Sequence, residues 1–110
     1  MKTTIEQEPV GKMYNPPHPG FVLKGLWLEP LGLTITRTAE ILNVSRKTVS
    51  NLVNAKIPLS GDIALRISIA FKIDIDVLLG MQATYDAWHA EQHRPELERE
   101  VTVVHWNEAA

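Results

Sequence analysis

Thr34-Ile35-Thr36-Arg37-Thr38-Ala39-Glu40-Ile41-Leu42-Asn43-Val44-Ser45-Arg46-Lys47-Thr48-Val49-Ser50-Asn51-Leu52-Val53-Asn54 is the stretch on which the reading of this chain turns. Thr34 and Ser45 each stand before a short run with apolar residues at helical spacing. A hydroxyl there can cap a helix by accepting a hydrogen bond from a first-turn N–H. The first run, Ile35 to Leu42, would bury Ile35, Thr38, Ala39 and Leu42; the second, Arg46 to Asn54, would bury Val49, Leu52 and Val53. Ala39 is small enough to let two helices cross closely. Four residues later Asn43 suits the left-handed conformation of a sharp turn, and Val44 can plug the gap between the helices. Taken jointly, these spacings are those of a helix-turn-helix.

Fixing the inner face fixes the outer one. Arg46, Lys47, Ser50, Asn51 and Asn54 point away from Val49 and Leu52, with Ser45 and Thr48 at the helix start. Thr34, Thr36 and Arg37 on the preceding helix and Lys56 just beyond complete the candidate DNA-binding set. Arginine and lysine hold phosphates or guanine edges, asparagine can pair with adenine, and serine and threonine serve either role. No carboxylate interrupts the second helix. A polar outer face alone would suit any helical hairpin. Here it coincides with turn chemistry and core spacing, which favours a major-groove reader. One short helix covers too few base pairs for specificity, so the expected target is double-stranded operator DNA with an inverted repeat, met by a homodimer.

Composition bounds the alternatives. The chain has 110 residues, 45% apolar and 22% charged, which fits one globular domain. Its net charge is −2, but the distribution is uneven. Residues 34–56 carry Arg37, Arg46, Lys47 and Lys56 against Glu40 alone, whereas residues 81–110 carry Arg94 and Arg99 against six carboxylates. The basic segment can meet phosphates while the acidic end is held away. Cysteine is absent, excluding disulfides, thiol nucleophiles and thiolate metal sites. No long apolar run suggests a membrane span, and the N-terminus lacks a secretory pattern, so the cytoplasm is expected.

The flanking sequence predicts an all-α domain of five helices over residues 15–94, after an arm at 1–14 and before a tail at 95–110. Asn15-Pro16-Pro17-His18-Pro19-Gly20 postpones the first helix to about His18, with Pro19 at its first position. Val22, Leu23, Leu26 and Trp27 would face inward there, and Pro30 and Gly32 would stop it. Ser60 can cap a fourth helix, Gly61 to Lys72, burying Ile63, Ile67, Ala70 and Phe71. Asp74 or Asp76 can cap a fifth, reaching about His93, with a stripe of Leu78, Met81, Tyr85 and Trp88 and a potential break at Gly80. In the tail, Val101-Thr102-Val103-Val104-His105-Trp106 reads as a short β-strand. Its partner would be the arm, a second copy or another protein; a frayed terminus is the plain alternative.

With these residues in hand, a family resemblance stands out. Asn15-Pro16-Pro17-His18-Pro19-Gly20, Leu28-Glu29-Pro30-Leu31-Gly32-Leu33, Val44-Ser45-Arg46-Lys47-Thr48-Val49-Ser50 and Gln82-Ala83-Thr84-Tyr85-Asp86-Ala87-Trp88 resemble the HigA antitoxins of the Xre-like (λ-repressor-like) helix-turn-helix superfamily. The likeness spans about residues 15–90. It implies a dimeric repressor of its own operon that also silences a cognate toxin, usually a RelE-like mRNA endonuclease. A stand-alone Xre-type repressor shares the DNA-binding mechanism. Two positions depart from the family pattern. Ile35 stands where glutamine is common, leaving Thr34, Thr36 and Arg37 to contact the backbone. Ala55 stands where glycine is common, in a loop where alanine resists positive φ.

Other chemistries are weakly signalled. His89 and His93 have zinc-like spacing but no third ligand, so no metal is expected. No cofactor motif or catalytic cluster is present, and an enzyme is not expected. Trp27, Tyr85 and Trp88 at helical spacing suit packing or a dimer interface.

Overall fold

The computed structural model describes residues 15–106. Its first helix, α1 (Pro19–Leu23), is capped by His18, whose Nδ1 accepts the Gly20 N–H at 2.9 Å. The chain then widens into a π-helical turn, Lys24–Leu28, where the Glu29 N–H reaches back five residues to the Lys24 carbonyl at 2.9 Å. This turn corrects the expected stripe. A regular helix would carry Leu26 inward, but the wider turn delivers Leu28 to the core and leaves Leu26 63% exposed.

Four helices follow: α2 (Ile35–Leu42), α3 (Arg46–Val53), α4 (Gly61–Phe71) and α5 (Ile75–Glu91). Thr34, Ser45, Ser60 and Asp74 cap them, each accepting from a first-turn N–H. Between α2 and α3, Asn43 adopts φ 56°, ψ 50°, the left-handed turn expected of it. Gly80 causes no break in α5.

One core joins these elements, with Leu23, Leu28, Leu42, Val49, Leu52, Ile67 and Leu78 among its buried side chains. Three inward assignments shift. Ile35 is 37% exposed at the start of α2, because Thr38, Ala39 and Leu42 fill that face. On α4, Ala64 and Ile67 are buried, Ile63 and Phe71 are half-buried, and Ala70 is exposed. On α5, Leu78 is buried together with Gln82, while Met81, Tyr85 and Trp88 are half-buried. Gln82 is satisfied: its Oε1 accepts the buried Leu59 N–H at 2.7 Å and its Nε2 donates to Asp86 at 2.8 Å.

The C-terminal region differs from expectation in two ways. Pro95 lies in the first turn of a sixth helix, α6 (Arg94–Glu100), instead of merely ending α5. Proline costs nothing there, since its missing N–H has no intrahelical partner. Arg94 bridges back to Glu91 at 2.6 Å and forward to Glu98 at 3.6 Å, bracing this turn. No strand forms among the described residues. Val101 is extended, but among the described residues a single strand has nothing to pair with there. The arm, as the other intrachain candidate, lies outside the described residues.

Candidate nucleic-acid interface

Serine before Arg46 determines where the outer face of α3 starts. Ser45 Oγ accepts the Thr48 N–H at 3.0 Å and lies 2.8 Å from Thr48 Oγ1, so both hydroxyls are spent on the cap. Arg46 and Lys47 then occupy the first turn, exposed, with no hydrogen bond or ion pair among the described residues. Two cations at a helix N-terminus gain nothing from the helix dipole, which favours anions there. Together, the dipole and both side chains make this end strongly anion-seeking.

Ser50 and Asn51 follow on the same side, each half-buried. An open depression between the starts of α2 and α3 is lined by Ile35, Arg46, Lys47 and Ser50. Ile35 therefore contributes an apolar floor to the polar face, which the inward assignment of that residue missed. The remaining expected residues divide by how free they are. Thr34 is occupied as a cap, accepting the Arg37 N–H at 3.0 Å. Thr36 is exposed on α2, and Arg37 is exposed but pairs with Glu40 at 3.2 Å. At the far end, Asn54 turns its Nδ2 back onto the Ser50 carbonyl at 2.8 Å, so that half of its amide is used internally. Lys56 is exposed beyond it, its N–H tied to the Asn51 carbonyl at 2.8 Å.

Those bonds explain the loop after α3. Ala55 has φ 59°, the left-handed conformation that glycine would adopt freely, and its N–H reaches the Leu52 carbonyl at 3.0 Å. The turn thus forms despite the side chain, at a strain of about 1–2 kcal/mol.

Three residues hold the face in place in ways that the sequence reading did not assign to them. Gly20 backs directly against the Leu52 carbonyl, leaving no room for a Cβ, so α1 crosses α3 at backbone contact. Arg66 of α4 donates to the Leu42 and Asn43 carbonyls at 3.1 and 3.3 Å while its Nε binds Asp62 at 2.8 Å. It thereby satisfies the carbonyls left open at the end of α2. His18 supports the same crossing from below. Burial lowers its pKa from the ordinary histidine value, against the opposing pull of a backbone hydrogen bond to Ile57 and the Asp86 carboxylate. Its ring stacks edge-on against Tyr85, centroids 4.9 Å apart.

No group of His, Asp or Glu able to hold a metal ion occurs among the described residues, and none of their helices is long and apolar enough to cross a membrane. The surface built by α2 and α3 presents cationic, hydroxyl and amide donors on a rigid scaffold. Such a surface can bind phosphate oxygens and read base edges.

Comparison with known proteins points the same way. The helix-turn-helix family matches residues 26–78. Virulence-associated protein A of Dichelobacter nodosus is 45% identical over 76% of this chain and 83% of its own length. The uncharacterized HTH-type transcriptional regulator YbaQ of Escherichia coli is 37% identical over 84% of each chain. Antitoxin HigA-1 of Vibrio cholerae is 36% identical over 63% of this chain and 65% of its own. Among solved structures, antitoxin GraA in complex with its operator superposes with a TM-score of 0.76 at 30% identity, covering 84% of this chain and 94% of that one. The Pseudomonas aeruginosa antitoxin HigA with the higBA promoter gives 0.75 at 25% identity, over 82% and 99%.

Proposed function

The chain belongs to the Xre-like helix-turn-helix family, and on that premise we propose that it is a type II antitoxin of the HigA kind, which as a dimer binds an operator in its own promoter and neutralises a partner toxin. The observation that carries the DNA half is the first turn of α3, where Arg46 and Lys47 have no partner among the described residues and stand on a capped, carboxylate-free helix N-terminus. The docked helix would place Arg46, Lys47, Ser50 and Asn51 at base edges. Thr34, Thr36, Arg37, Ser45, Thr48, Asn54 and Lys56 would line the flanking phosphates. Support comes from the two solved relatives named above, both captured on operator or promoter DNA.

A gel shift with the DNA upstream of the gene tests this reading, with Arg46→Ala and Lys47→Ala as the variants. Binding of both like the unchanged protein would refute it. The toxin half rests on likeness to the HigA-1 and GraA antitoxins, and the expected toxin is a RelE-like mRNA endonuclease. Likeness to an HTH-type regulator over 84% of each chain favours one second reading, a repressor with no toxin. Growth arrest on expressing the neighbouring gene alone, relieved by this chain, decides for the antitoxin; a neighbour without toxicity decides for the repressor.

A further inference from the structure

Past the end of α5 the surface changes character. Leu97, Val101, Val103, Val104 and Trp106 are 47%, 64%, 71%, 64% and 84% exposed, a run of large apolar side chains that the core does not use. The Val101 N–H closes α6 on the Leu97 carbonyl at 2.9 Å. From Thr102 to His105 no backbone group has a hydrogen-bond partner among the described residues. Irregular backbone with open donors and acceptors and β-branched side chains is free to join a neighbouring sheet edge. Beside it lies an open hollow of about 530 Å³, walled by Ala90, Leu97, Val101 and Val103 together with Glu91, Glu98 and the Arg94 that these two carboxylates engage.

Charge selects among occupants. Residues 81–110 hold Asp86, Glu91, Glu96, Glu98, Glu100 and Glu108 against Arg94 and Arg99, and Arg94 is already engaged by Glu91 and Glu98. Two such segments repel one another, whereas a basic surface is steered toward one of them. We propose that Val101–His105 is a docking strand for a basic protein with an open β-sheet edge, seated with an apolar side chain of that partner in the hollow beside Leu97. This rests on the antitoxin reading and deepens it, because the partner so described is the toxin. The DNA-reading face on α3 is not part of this surface.

The test uses the full chain with the protein encoded beside its gene as probe. Val101→Asp with Val103→Asp should weaken that complex by about 100-fold or more, since a carboxylate would be buried against apolar surface. Val103→Pro, which removes one backbone donor without adding charge, should weaken it by about tenfold. Both variants should shift operator DNA like the unchanged chain, which shows that they fold. In the complex, the amides of residues 102–105 should exchange about 100-fold more slowly than in the free chain. Equal affinity of both variants, with those amides unprotected, overturns the docking strand and leaves the antitoxin reading standing. Failure of the unchanged chain to bind the probe overturns both. Protection already present in the free chain, with a dimer that Val101→Asp and Val103→Asp abolish, hands the strand to a second copy and also overturns the proposal.

Discussion

Arg46 and Lys47 directly follow the cap, are exposed and lack partners among the described residues, so their removal changes the surface without disturbing the core. Truncating either one, if it pairs in bidentate fashion with a base, should cost about 1–3 kcal/mol of operator binding. If the side chain holds a phosphate instead, its truncation weakens all sequences alike and flattens the salt dependence. Titration of each alanine variant at several salt concentrations therefore assigns the role. Ala55 offers the opposite experiment. At φ 59° its Cβ is strained, and Ala55→Gly should raise stability by about 0.5–1 kcal/mol after the entropic cost of glycine, read from the urea midpoint. Gly20 tolerates no such exchange. Gly20→Ala must push α1 off the Leu52 carbonyl and should cost about 1–3 kcal/mol.

The elements are held in register by a few polar bonds between parts of the chain distant in sequence. Arg66 ties α4 to the end of α2, and Arg66→Met, which keeps the stem but drops the guanidinium, should destabilise the fold by about 1–2 kcal/mol. The start of α1 hangs on a neutral His18, because Nδ1 must be bare to accept the Gly20 N–H. Its folded pKa lies below that of the unfolded chain, so protons favour unfolding. Stability from this residue is whole above about pH 6.5 and is lost as pH falls through the lowered folded value. Thermal melts between pH 8 and 5 should show the melting temperature falling on the acid side. His18→Asn, which can still cap, should flatten that slope; an unchanged slope would place the acid sensitivity elsewhere.

At the scale of the whole molecule, polarity is the main feature. A basic reading face on α2 and α3 is balanced by an acidic C-terminal region, so the chain as a whole is slightly acidic yet locally suited to DNA. A single recognition helix cannot secure specificity against a genome. Two-fold pairing would set two copies of α3 about 34–36 Å apart, one turn of duplex. Sedimentation on a duplex carrying the inverted repeat should give two chains per site. Deleting one half of the repeat should weaken binding far more than it would for two chains that bind independently. A one-to-one complex on the full repeat would refute the dimer.

Much of this was legible in the residues themselves. Thr34, Ser45 and Ser60 declared their caps, Asn43 its left-handed turn, and Val49, Leu52 and Val53 the inner side of α3, hence also its outer side. All are local signals, carried within one or two turns of backbone, where hydrogen bonding and sterics act on immediate neighbours. Even the strain at Ala55 was foreseeable from residue type. The tertiary structure decided what depends on chain returning to chain. Leu28 displaced Leu26 from the core because the chain widens into a π-turn directly after α1. Arg66 reached Leu42 across 24 residues and Gln82 reached Leu59 across 23, pairings that no spacing encodes. Val101 to Trp106 has the composition of a strand, but a strand exists only where an edge is offered, and the described part of this chain offers none.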